Sequence, residues 1–174
     1  LDRSCRMTEK TAENLKSAFA GESQANRRYL FFAQKAEEEG FQQAGKLFRA
    51  AAEAETVHAF NHIRTIGEAG STIENLQIAI AGESSEYKHM YPNYIKTAKK
   101  EKNTQAVWSF NVASQAEHGH AKLFKKMAEA LKSGKEPAKV EYFVCSICGN
   151  IFENETPVKC PVCGAPKDKI FRVP

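Results

Sequence analysis

No long apolar run occurs in the 174-residue chain, whose most continuous stretches, such as Ile78 to Ala81, fall far short of the roughly 18 residues of a membrane-spanning helix. The opening residues Leu1 to Met7 lack the apolar segment of a secretory signal, so the expected location is cytoplasmic. Neither sign of charge dominates. The 25 Lys and Arg set against 21 Asp and Glu leave +4, too slight a balance to point to nucleic acid or a membrane surface. The most basic run, Lys96 to Lys102, fits a solvated helix end complementing the C-terminal dipole. Proline is nearly missing upstream, with Pro92 alone before Pro137, and cysteine is as scarce there, with Cys5 a single thiol in the terminus. A disulfide framework is excluded for that region.

What remains is rich in Ala, Leu, Glu, Lys and Gln, the composition of long helices. Apolar spacing predicts four of them. The first spans about Thr8 to Glu39, with Leu15, Phe19, Tyr29, Phe32 and Ala36 on one stripe, and ends at Gly40. The second runs from Gln42 to about Gly67, with Leu47, Phe48, Ala51 and Ala59 facing inward. A third spans about Leu76 to Lys100 and should bend at Pro92, which lacks a donor. The fourth, Thr104 to Leu131, carries Phe110, Ala113, Phe124 and Met127 at four-three spacing, the inward seam of a bundle. Residues 1–134 are thus expected to form a four-helix bundle, 135–140 a linker and 141–174 a separate unit.

The chain repeats itself. Ala18-Phe19-Ala20-Gly21-Glu22-Ser23 returns as Ala79-Ile80-Ala81-Gly82-Glu83-Ser84, 61 positions later, and Glu55-x-x-His58 returns as Glu117-x-x-His120, 62 positions later. Two helical hairpins related by duplication follow. Each Glu or His occupies an apolar stripe, and residues three apart on a helix share a face. Carboxylates are almost never buried without a compensating charge. Protonated His58 and His120 cannot balance five inward glutamates, counting Glu86 beside Glu83, whereas two divalent ions nearly can. One Glu from each of two helices and Glu-x-x-His from the other two is the donor set of ferritin-like dimetal proteins, and its oxygen and nitrogen donors suit iron or manganese. Glu86 has Ala25 as its counterpart, so one metal gains a carboxylate that is expected to exchange with His58 as oxidation state changes. Tyr29 and Tyr91, two turns beyond Glu22 and Glu83, are candidates to hydrogen-bond the carboxylates or supply protons, or simply to fill the core. His62, His89 and His118 are expected to be core or surface residues.

The last segment carries Cys145-x-x-Cys148 and Cys160-x-x-Cys163, each pair followed by glycine. Two such knuckles present four sulfurs to one tetrahedral ion, and the ligands alone do not choose between zinc and iron. Phe143, Phe152, Pro161 and Phe171 are expected to shield the sulfurs.

From about Met7 onward the chain resembles the rubrerythrin family. The resemblance rests on Ala-Gly-Glu-Ser, Glu-Thr-Val-His, Glu-Ser-Ser-Glu, Glu-His-Gly-His and Cys-Pro-Val-Cys-Gly in order. It implies a mostly α protein, a ferritin-like four-helix bundle followed by a small rubredoxin-like domain of short strands and knuckles. By matching position it implies that Glu22, Glu55, His58, Glu83, Glu86, Glu117 and His120 hold two non-haem irons. Cys145, Cys148, Cys160 and Cys163 would hold a third iron, or zinc in some preparations. The implied activity is a peroxidase of oxidative-stress protection that reduces hydrogen peroxide to water with electrons passed from the Fe(Cys)4 centre. The alternative is a ferroxidase or iron-handling protein. Implied partners are a rubredoxin or nicotinamide-dependent reductase as donor and a second copy of the chain in a homodimer or larger oligomer. No nucleic acid and no membrane is implied. Asn150 departs from the family, standing where an aromatic is usual.

Overall fold

The computed structural model describes residues 7–134 and 139–174. Cys5 and residues 135–138 of the expected linker lie outside them. Among the described residues five α-helices are followed by a three-stranded sheet: α1 Glu9–Glu38, α2 Gln42–Ile66, α3 Thr72–Ser85, α4 Tyr91–Lys100, α5 Thr104–Lys132, β1 Tyr142–Cys145, β2 Ile151–Glu153 and β3 Ile170–Arg172. The chain divides into two compact units, 1–70 and 71–174. Among the described residues no helix is long and apolar enough to cross a membrane.

In the first unit, Thr8 caps α1 by accepting from the Thr11 amide. Gly40 turns the chain with φ +87°, a conformation other residues adopt at a cost, and α2 returns antiparallel to α1. The hairpin closes on small residues, with Ala33, Ala36, Gly45, Ala52 and Ala59 buried. Leu47, expected to face inward, is 70% exposed. Two helices share a single seam, and where backbones approach this closely only small side chains fit within it. A Cβ added at Gly45 would stand 2.9 Å from Glu37 Cγ and 3.3 Å from the Ala33 carbonyl oxygen. The same Glu37 accepts both arms of Arg49, at 2.9 and 2.8 Å.

The second unit opens with a capping box. Ser71 accepts from the Glu74 amide while the Glu74 carboxylate accepts from the Ser71 amide at 2.7 Å. The third predicted helix is continuous but not uniform: between α3 and α4, residues Glu86–Met90 form a π turn, with the Tyr91 amide donating to the Glu86 carbonyl. Pro92 directly follows the π turn, where the hydrogen-bond ladder is already shifted and a residue without an N–H is accommodated. The lysine run does end a helix, with Lys99 and Lys100 in the last turn of α4. Asn103 caps α5 through the Ala106 amide.

The strands are antiparallel in order β2-β1-β3, pairing Phe143 with Phe152 and Val144 with Phe171. A core of Cys145, Cys148, Cys160, Ala165 and Val112 of α5 is flanked by Phe152, Val162 and Ile170. Of the four residues expected to shield the sulfurs, Phe152 packs on this core. Pro161 and Phe171 are exposed and Phe143 is half-buried. Strand alternation turns Phe171 away: paired with Val144 it is 52% exposed, while its neighbour Ile170, paired with Cys145, packs on the cysteine core.

Candidate metal centres

In the first unit Glu22 of α1 and Glu55 and His58 of α2 offer donor atoms within 4.8 Å of one another. His58 Nδ1 lies 2.9 Å from Glu55 Oε2. Asn26, one turn beyond Glu22, donates to the Ala52 carbonyl at 2.7 Å and to Thr56 Oγ1 at 2.9 Å, fixing the rotation of one helix against the other beside the acidic group. Tyr29 joins an aromatic group with Phe32 and Phe48, centroids 6.4 and 6.2 Å away.

The second unit repeats the arrangement with Glu83 of α3 and Glu117 and His120 of α5, again within 4.8 Å. His120 Nδ1 lies 2.6 Å from Glu117 Oε2 and 3.5 Å from Glu83 Oε2. Glu83 Oε2 is buried without a hydrogen-bond partner. Desolvation, then the hydrogen-bonded and negatively charged Glu117, pushes the Glu83 carboxyl up to about 7. Desolvation followed by Glu117 also raises Glu86, and desolvation followed by Glu117, Glu86 and Glu83 raises Tyr91. Tyr91 thus feels the negative charge of these carboxylates. Three acids that resist ionisation together around an unpartnered buried oxygen fit a cation, which removes the desolvation cost and the mutual repulsion at once.

The π turn explains an irregularity in the repeat. Glu22 and Glu83 are 61 apart, as are Ala25 and Glu86, but Tyr29 and Tyr91 are 62 apart, as are Glu55 and Glu117. One residue has been added between Glu86 and Tyr91, where the helix widens into its π turn. The change of offset from 61 to 62 is the sequence's trace of this turn. His118, expected to be solvated, is exposed but stacks on Tyr87 of this turn, centroids 4.6 Å apart.

At the C-terminal end the four cysteines are free thiols whose sulfurs all lie within 4.8 Å of one another. Cys145 and Cys163 are 3.6 Å apart and Cys148 and Cys160 3.5 Å. A tetrahedron with metal–sulfur bonds of 2.3 Å has edges of about 3.8 Å, so the set fits one ion. Gly149 and Gly164, at φ +78° and +76°, turn each knuckle back, and their amides donate to the Cys145 and Cys160 carbonyls. Burial raises Cys145, but hydrogen bonds from the Ile147 and Cys148 amides and from neighbouring thiols outweigh it and bring the thiol below its usual range. Desolvation holds Cys148 and Cys163 above theirs. A metal must displace those protons.

Family models match both parts: "Rubrerythrin" over residues 13–128 and "Rubrerythrin, rubredoxin-like domain" over 143–170. The chain belongs to the rubrerythrin family. Rubrerythrin-2 of Clostridium acetobutylicum is 39% identical, with 91% of this chain and 94% of the relative covered. Nigerythrin of Nitratidesulfovibrio vulgaris is 36% identical, covering 91% and 84%. Among solved structures, partially reduced nigerythrin superposes with a TM-score of 0.56 at 33% identity, covering 99% of this chain and 90% of that one. The mostly helical fold with a small four-cysteine strand unit is thus that of nigerythrin. Membership and the donor sets together identify the cofactors as two non-haem irons in the helical domain and one iron at the cysteines.

Sequence reasoning missed two residues that bear on these centres. The Gly149 carbonyl accepts from His120 Nε2 at 2.9 Å, and Val112 packs on the cysteines. No signal in the sequence marked either, because a backbone carbonyl has no residue signature and Val112 stands outside the expected seam.

Proposed function

We propose that the chain is a peroxidase that reduces hydrogen peroxide to water. Cys145, Cys148, Cys160 and Cys163 would hold the iron that takes up electrons, and Glu22, Glu55, His58, Glu83, Glu86, Glu117 and His120 would hold the two irons that deliver them to peroxide. The observation that carries this reading is the bonding of His120. Its Nε2 meets a carbonyl, which only accepts, so Nε2 donates there and Nδ1, 2.6 Å from Glu117 and 3.5 Å from Glu83, is the nitrogen that a metal among those carboxylates would take in place of a shared proton. The accepting carbonyl belongs to Gly149, which directly follows Cys148. A single imidazole thus spans the distance between a thiolate ligand's neighbour and the carboxylate group.

Bound iron supplies two electrons at the carboxylates, enough to cleave the O–O bond without releasing hydroxyl radical. Glu83 and Glu86, raised in their demand for protons, and Tyr91, raised by burial and by the same carboxylates, hold protons where water must form. The relatives solved as partially reduced and all-ferrous nigerythrin support a site that cycles between oxidation states. The four cysteines would hold an iron able to accept electrons from a rubredoxin or a nicotinamide-dependent reductase, and the chain works as a homodimer or larger assembly. Functional boundaries are 1–134, 135–140 and 141–174.

The test is a single turnover without air. Fully reduced, iron-loaded protein is mixed with stoichiometric peroxide while both iron absorptions are followed. Rapid oxidation at the carboxylates followed by oxidation of the cysteine iron is expected; faster reaction with dioxygen than with peroxide would overturn the reading.

A further inference from the structure

Four contacts seat the four-cysteine unit on α5, all on one face of that helix. Val112 is buried in one apolar cluster with Cys145, Cys148, Cys160 and Ala165. A Cβ at Gly119 would stand 3.4 Å from Asn150 Oδ1, an ordinary contact distance, so the knuckle lies directly against this turn of α5. His120 bonds the Gly149 carbonyl, and Lys126 Nζ meets Glu153 Oε2 at 2.6 Å. Positions 7, 8 and 14 residues beyond Val112 recur on one side at 3.6 residues per turn. Between them lies an apolar cavity of about 370 Å³, lined on the helix by Leu123, Phe124 and Met127 and on the strands by Tyr142, Val144 and Ile151. Apolar packing there is incomplete, so polar contacts set the register. Lys126–Glu153 is the one ion pair joining a helix to this unit among the described residues, and Glu153 is only 23% exposed.

We propose that Lys126 and Glu153 form a latch that, with the Gly119–Asn150 approach, seats the four-cysteine unit on α5 of its own chain and so sets the rate at which electrons pass through His120. The proposal rests on the peroxidase reading above. One electron moves per step, ferrous to ferric at the cysteines and ferric to ferrous at the carboxylates, and the Nε2–H bond of His120 stays intact. Lys126 and Glu153 are positioning residues that touch neither metal site. Asn150 is small and polar where it meets Gly119.

The experiment is a charge-swap cycle in the iron-loaded protein: K126E, E153K, the double variant K126E/E153K in one chain, and K126E co-expressed with E153K. Two quantities are read: the rate of cysteine-iron oxidation after a peroxide pulse, and amide hydrogen exchange over residues 149–153 in the oxidised protein. Each single variant should slow transfer about three- to tenfold, the range of an ion pair lost and replaced by repulsion, and speed exchange. Peroxide oxidation of prereduced carboxylate iron should not change. The double variant should recover both quantities, whereas the co-expressed single variants should not, since pairing between chains would restore the opposite charges and pairing within a chain would not. G119L, which keeps the ion pair but wedges the knuckle, should also slow transfer. Unchanged single variants, or recovery on co-expression, would overturn the latch. If the cysteine iron of the unsubstituted protein never yields its electron, the peroxidase reading fails instead, and the exchange measurements still decide whether the latch exists.

Discussion

His120 is bonded at both ring nitrogens, to carboxylates on one side and a backbone carbonyl on the other, while His58 has a carboxylate at Nδ1 and is 54% exposed at its side chain. The two halves of the repeat are therefore chemically alike in donors and unlike in surroundings. Replacing His120 by Ala removes a donor and frees the Gly149 carbonyl; iron analysis should show loss at the carboxylates, with the cysteine-iron absorption retained. Glu83 gives a pH dependence. Its carboxyl is pushed up to about 7 in the folded metal-free chain, against an ordinary value of 4.5. The folded state then binds more protons than the unfolded one between those values, so metal-free protein should lose stability as pH rises from about 4.5 to about 7 and level off above. Iron affinity should rise over the same window, because the metal displaces the proton. Denaturant titrations at pH 5 and pH 8, with and without iron, would show opposite trends.

The elements show where packing overrules local preference. At Gly45, a larger residue would gain roughly 1 kcal/mol of helix propensity, yet a branched side chain must force α1 and α2 apart at a cost of about 1–3 kcal/mol. Gly45→Val should therefore destabilise the hairpin, seen as a lower denaturation midpoint. Ser71→Ala removes the cap of α3 and should cost about 1 kcal/mol by the same measurement. The π turn makes a different demand. Deleting Lys88 would return the second half to the 61-residue offset and rotate α4 by about 100° relative to α3. Ala98, the buried residue of α4, would leave its seam, and circular dichroism on heating should show early melting of this unit.

For the whole molecule, stability and iron content are one quantity. A strand unit of three short strands has little apolar area, and its buried core consists mostly of cysteine. Four thiols held together without a metal contribute repulsion or unpaired protons. Chelation should therefore lower the thermal midpoint, and reloading with iron should restore it in proportion to bound metal. Zinc reloading should restore the strand unit's stability without the visible absorption of cysteine-bound iron.

Much of this was readable in one dimension. Helix lengths, the duplicated acidic positions and the two knuckles come from spacing, because a helix repeats every 3.6 residues and a metal needs several donors within reach of one point. Capping residues such as Ser71 and Asn103 mark helix starts through bonds only a few residues long. What the line of residues did not decide is which side chain fills which gap. Leu47 outside the seam, Ile170 rather than Phe171 over the sulfurs, Val112 on the cysteines and the Gly149 carbonyl on His120 all depend on how close two segments come and at what rotation. Those are properties of segments distant in the chain, set by the volumes and hydrogen bonds of both at once, and only the folded structure contains them.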